Sequence, residues 1–281
     1  MKTIRLIPRL DVKGPNLVKG VHLEGLRVLG HPNDFAKHYY QNGADELLYS
    51  DPVASLFERN SLFDVISATA KKIFIPITVA GGIRTLEDIK NILRAGADKV
   101  SLNTAVIKNP ALIKKASRKF GSSTIVVTIE AIREGGEYMA YTDNGRESTG
   151  IEVVGWAKKV ASLGAGEIII TSVDKEGTGK GFDIELVKMV SEAVNIPVIA
   201  HGGAGSPQDI VDVVKVGKAD AVSIASLIHY GVVNRKKFVG DSVEGNTEFL
   251  RAQKISKKIS SYELQDLKKY LIDNDIQCRY P

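Results

Sequence analysis

The chain has 281 residues, 43% hydrophobic and 25% charged, an ordinary globular composition with enough apolar material for a sizeable core. Its formal net charge of +5 comes without a dense basic stripe or interleaved aromatics, which argues against nucleic acid and suits anionic small molecules. No apolar run approaches the roughly 18 residues of a membrane span, and a lone cysteine, Cys278, excludes an internal disulfide and any multi-cysteine metal site.

The opening MKTIRLIPRLDVKG is interrupted by Arg9 and Asp11 and has no apolar stretch of signal-peptide length, so a cytoplasmic chain is expected. Short runs rich in Val and Ile then alternate with amphipathic stretches, the pattern of βαβ units around a parallel sheet. Four candidate strands come first: IRLIPRLD (4–11), ADELLYSD (44–51), IFIPITVAGG (73–82) and DKVSLN (98–103). Between the last two, TLEDIKNILRAG (85–96) opens on Thr85 and Glu87 and closes on Gly96, as a capped helix does. A second helical segment, NPALIKKASRKFG (109–121), leads to STIVVTIE (123–130), GEIIITSVD (166–174), IPVIAHGG (196–203) and DAVSIAS (220–226). The polar, lysine-rich stretch 232–260 fits no such unit and reads as an inserted, solvated loop before a last helix over 262–273. Eight units in a row predict an α/β fold, one (β/α)8 TIM barrel over 1–281, an architecture that commonly fills about 250 residues.

An internal repeat supports closure. GADELLYSD at Gly43 resembles GAGEIIITSVD at Gly164, IPITVAGGI at Ile75 resembles IPVIAHGGAG at Ile196, and AGADKVSLNTA at Ala95 resembles GKADAVSIASL at Gly217. The period of about 120 residues is far too long for a solenoid. One half alone would leave open sheet edges, so two half-barrels must share one barrel.

Sites in this fold lie at the C-terminal strand ends. Asp11 and Glu130 end strands one and five, equivalent places in the two halves. Two carboxyls facing across a mouth can divide acid and base roles, or they simply cap loops. Asp51 and Asp174 form another repeat-related pair, suited to substrate hydroxyls or to ordinary capping. Gly81-Gly82 and Gly202-Gly203 follow strands three and seven, and Asn103 with Thr104, then Ala225 with Ser226, supply donors beside them. Glycines let backbone N–H groups approach an anion closely. Two such cradles in register predict a long ligand with a phosphate at each end. Alternation along strands places Arg5, Glu46, Lys99 and Glu167 inside the barrel near its N-terminal opening. Interior charges must pair, so these form a neutral ring, either a stabilising plug or a gate. The histidines show no metal-ligand spacing, and neither metal nor cofactor is expected.

IPRLDVKGPNLVKGVHLEGLRVLGHP, GGIRTLEDIKNILRAGADKVSLNTA and TSVDKEGTGKGFDIELVKMVSEAVNIPVIAHGGAG together resemble the cyclase-subunit family of imidazole glycerol phosphate synthase, over nearly all of the chain except 232–260. The resemblance implies a glutaminase partner docked as a heterodimer at the N-terminal face. It implies that ammonia passes the ring Arg5, Glu46, Lys99 and Glu167 as a gate and attacks a bis-phosphorylated ribulosyl formimino aminoimidazole carboxamide ribotide at the mouth. In that mapping Asp11 is the general acid and Glu130 its base. Lys19 of the long first loop, Thr171 and Gly177 join Gly82, Asn103, Thr104, Gly203, Ala225 and Ser226 in holding substrate. The chain departs from the family at Glu130 and Glu176, which replace aspartates, at Arg9 for a cysteine, at Ala80 for a glycine, and at His201 for a smaller residue. Two alternatives stand beside the cyclase: an ammonia-channelling subunit for amidino modification of a surface or nucleotide sugar, and a catalytically weak scaffold for a glutaminase.

Overall fold

The computed structural model describes residues 2–54, 62–235 and 261–279. The first half runs β1 (Arg5–Lys13), a hairpin of β2 (Asn16–Val21) and β3 (Glu24–Gly30), α1 (Pro32–Gln41), β4 (Leu47–Ser50) and α2 (Phe63–Ala70). It continues through β5 (Ile77–Ala80), α3 (Leu86–Arg94), β6 (Lys99–Leu102), α4 (Thr104–Lys108) and α5 (Ala111–Phe120). The second half repeats that order with β7 (Ile125–Glu134), the hairpin β8 (Glu137–Thr142) and β9 (Glu147–Glu152), α6 (Val153–Ser162), β10 (Glu167–Ser172) and α7 (Ile184–Ala193). Then come β11 (Val198–His201), α8 (Pro207–Lys215), β12 (Ala221–Ile224), α9 (Ser226–Arg235) and α10 (Leu264–Asp273).

Strands β1, β4, β5, β6, β7, β10, β11 and β12 pair in parallel, and the β12–β1 ladder closes the circle. This is a (β/α)8 TIM barrel. Inside it, Ile7, Leu48, Val126, Ile169, Ile199 and Ala221 form an apolar layer separate from the larger core between strands and helices. Burying each Ile, Leu or Val of this layer contributes roughly 1.5–3 kcal/mol. The internal repeat extends to helix starts. Thr85 with Asp88 opens α3 and Ser206 with Asp209 opens α8, both as reciprocal capping boxes. Lys268 of α10 lies buried against Asp45 Oδ1 at 2.8 Å, and Asp45 Oδ2 accepts the Leu6 N–H at 2.8 Å, tying the last helix to the first strand.

Two features differ from the sequence reading. Each half-barrel's first strand is prolonged by a β-hairpin that was not among the eight expected strands. Helix α9 also continues to Arg235, past Val232 where the insertion was expected to begin. The remainder of that expected loop, 236–260, lies outside the described residues.

Candidate active site

The N-terminal opening is crossed by a closed ring of charge. Arg5 reaches Glu46 at 2.6 Å and Glu167 at 2.9 Å, and Lys99 reaches the same two carboxylates at 3.1 Å each. Two bases and two acids, contributed by β1, β6, β10 and the residue before β4, cancel within this ring. Above the ring lies the apolar layer, and above that a polar floor.

Arg9 dominates this floor. Its Nε donates to Asp11 Oδ1 at 2.8 Å, and both side chains are 6% exposed. The Nη groups extend to Ser50 Oγ and His201 Nδ1, each at 3.4 Å. Thr171 Oγ1 also meets His201 Nδ1, at 3.2 Å. Burial and the neighbouring Arg9 and Lys19 cations hold the His201 ring well below the usual histidine range, so it is neutral. Its Nδ1 then accepts from both neighbours, which leaves the ring proton on Nε2.

A cavity of about 260 Å³ opens over β4–β7, lined among others by Arg9, Gly82, Asn103, Thr104 and Glu130. Glu130 Oε2 accepts the Gly145 N–H at 2.8 Å, and burial pushes its carboxyl up to about 7. On the opposite side a tighter space of about 20 Å³ is bordered by Lys19, Gly177, His201, Gly203, Ala225 and Ser226. Gly203 has φ +110, and a Cβ there would collide with the Gly181 carbonyl, so only glycine fits this turn. Ser223 and Ser226 present buried hydroxyls to the same space, neither hydrogen-bonded among the described residues. The residues of the two expected cradles line two separate spaces, whereas Asp11 and Thr171 border neither and belong to the floor. Asp51 Oδ1 caps the Val53 N–H at 3.0 Å and Asp174 Oδ2 accepts the Arg133 N–H at 3.0 Å, so both serve backbone groups.

The two hairpins fold over the mouth and meet. His22 and Leu23 adopt left-handed φ values of +51 and +61, as the two central residues of a tight hairpin turn require. Leu23 O accepts from Asn144 Nδ2 at 2.8 Å, and Glu24 pairs with Arg146 at 3.3 Å, so the β2–β3 tip rests on the β8–β9 tip. Glu176 locks the contact from below. Its carboxylate pairs with buried Lys19 and accepts the Leu23 N–H at 2.9 Å. Lys19, expected to hold substrate, is thus engaged with Glu176 while bordering the Gly203 space. Sequence reasoning missed Gly145 and Ser223. Gly145 comes near Glu130 only through the unforeseen hairpin, whereas strand alternation from Ala221 was available to place Ser223 inside.

The family model for histidine biosynthesis proteins matches residues 5–234. The protein named imidazole glycerol phosphate synthase subunit HisF in Legionella pneumophila is 58% identical over 210 residues, 74% of this chain and 99% of that protein. Its namesake in Alkaliphilus metalliredigens is 49% identical across 83% of this chain and 93% of its own length. That of Prochlorococcus marinus is 51% identical across 82% and 91%.

Proposed function

The chain belongs to the histidine biosynthesis protein family, with the HisF subunits of imidazole glycerol phosphate synthase, and from that premise we propose that it is the cyclase subunit of this synthase. It takes ammonia from a glutaminase partner and converts the ribulosyl formimino aminoimidazole carboxamide ribotide into imidazole glycerol phosphate and aminoimidazole carboxamide ribotide. The observation that carries this reading is the arrangement along the barrel axis. A charged ring closes one opening, an apolar layer follows, and a mouth with a raised carboxyl lies between two groups of glycine and hydroxyl residues.

Each part has a role in that chemistry. The cradles around Gly82, Asn103 and Thr104, and around Gly203, Ala225 and Ser226, take the two phosphates and fix the reacting middle of the substrate over the floor. Fixing both ends converts a bimolecular encounter into a positioned one, which is where much of such a barrier falls. Lys19 and Gly177 close the second cradle, and Thr171 orients the floor. Asp11 and Glu130 organise proton transfer. Arg5, Glu46, Lys99 and Glu167 admit ammonia from a glutaminase seated at the N-terminal rim, where Phe74, 79% exposed, offers an apolar contact.

Turnover of the ribulosyl precursor with ammonium chloride, which needs no partner, tests the reading. Both products are expected. A folded protein that forms neither would overturn the cyclase assignment and leave a different ammonia acceptor.

A further inference from the structure

Along β1 the interior positions follow one another as Arg5, Ile7, Arg9 and Asp11, so Arg9 occupies the level directly above the apolar layer and below the mouth. It is 5% exposed and lines the 260 Å³ cavity together with Leu48 of that layer and Glu130 of the mouth. We propose that Arg9 is a catalytic residue whose guanidinium receives the ketone oxygen of the ribulosyl group and stabilises the negative charge that gathers there when ammonia attacks. This rests on the proposed reaction and names the electrophilic group of its addition step.

The hydrogen-bond inventory carries the inference. A guanidinium has five N–H donors and no acceptor. The single hydrogen of Nε goes to Asp11 Oδ1 at 2.8 Å. Nη1 and Nη2 carry two hydrogens each, and each makes one contact among the described residues, at a long 3.4 Å, to His201 Nδ1 and to Ser50 Oγ. One N–H on each terminal nitrogen of a buried cation therefore remains for whatever fills the cavity. Leaving such donors unmet costs free energy, and the pair suits an oxygen with two lone pairs.

The fork is also fixed. Asp11 on β1, Ser50 on β4 and His201 on β11 hold it from three strands, so its donors need no rearrangement when charge appears on a ligand. Burial alone would lower the Arg9 pKa, but the Asp11 carboxylate, with Glu176 and Glu130 further off, more than offsets it, and the cation persists.

The ketone is the group that gains charge in the addition. A ribulosyl chain whose end is phosphorylated cannot close a five-membered ring, so that ketone stays open. The ammonia lone pair forms the new carbon–nitrogen bond while the carbonyl π pair moves onto oxygen. The alkoxide, held by the two N–H groups, then takes a proton from the new ammonium nitrogen and becomes a neutral carbinolamine. Arg9 keeps all its protons throughout.

The test binds precursor labelled with 13C at the ketone carbon, in the absence of ammonia, and follows it by NMR. In wild type the carbonyl signal should move downfield of its position in water, and Arg9→Met should abolish that displacement. With ammonium chloride, Arg9→Met should lower kcat about 10²–10³-fold, as loss of an oxyanion donor does, while KM changes far less because the phosphates hold the ground state. Arg9→Lys keeps a cation beside Asp11 and serves if Arg9→Met does not fold; a point charge in place of the fork should still lower kcat and shrink the displacement. A purely structural Arg9 would leave the bound carbonyl where wild type puts it. Wild-type kcat in a folded variant, or a carbonyl signal unmoved by both substitutions, overturns the proposal. Wild-type protein that binds no precursor sinks the cyclase reading and this role with it, whereas turnover with an unmoved carbonyl sinks only the role of Arg9.

Discussion

At the scale of single residues, the Arg9–Asp11 pair makes a stability statement as well as a chemical one. Removing one partner of a buried ion pair leaves the other uncompensated and costs roughly 3–5 kcal/mol. Asp11→Asn keeps a carbonyl acceptor for Arg9, so the loss is expected near the lower end of that range. Urea unfolding checks it, and a loss below about 1 kcal/mol would mean that Arg9 finds another anion. Glu130 makes the complementary case. Its folded carboxyl sits at about 7 against an ordinary 4.5, so the folded state holds the proton more tightly than the unfolded chain. Stability from this group is therefore fully present below about 4.5 and is lost as pH rises towards about 7, by a total near 3 kcal/mol. Glu130→Gln abolishes that slope. Unfolding free energies of the two proteins should converge at low pH and separate in favour of the variant above neutrality. The sequence pattern placed both carboxyls at the ends of their strands; they do lie at the C-terminal end of the parallel ladders, but β1 and β7 themselves run on to Lys13 and Glu134 into the hairpins. What distinguishes them was not legible. Arg9 meets His201 across 192 positions of sequence, and strand alternation names the face without naming the partner.

At the scale of elements, eight strands and their order could be read because each is a short apolar run, most of them rich in Val and Ile, between amphipathic helices. The two hairpins could not. Residues 16–30 and 137–152 mix polar and apolar side chains without an extended apolar run, and they lie where a barrel connection was already expected. Once they are seen, Glu176 is explained: it anchors a β-hairpin from outside that hairpin. Glu176→Ala would bury Lys19 without an anion and strip the Leu23 N–H of its acceptor. Hydrogen exchange at Leu23 should accelerate at least about tenfold, corresponding to the loss of one charge-assisted bond worth about 1.5–3 kcal/mol. Unchanged protection there would place the anchor elsewhere.

At the scale of the whole molecule, the barrel has two faces with separate duties under the proposed function, and they can be separated experimentally. Phe74 packs edge-on to Tyr40, with ring centroids 6.4 Å apart, and precedes β5 at the same end as the charged ring. Exposed aromatics of this kind carry binding energy of about 2 kcal/mol or more when they become the centre of an interface. Phe74→Glu should therefore weaken glutaminase binding by more than about tenfold and leave ammonium-dependent turnover unchanged. Titration calorimetry and the ammonium assay decide it together. Loss of both would point to damage to the fold, and loss of neither would remove the rim from the interface.

The meeting of the two hairpin tips has a consequence for timing. Asn144 holds Leu23 of one hairpin, and its neighbour Gly145 holds the carboxyl of Glu130. Under the proposed function, displacing the first hairpin to admit substrate would pull on the segment that orients Glu130. An open mouth would accordingly be a disarmed one, and the carboxyl would regain its aim only when the two tips meet again.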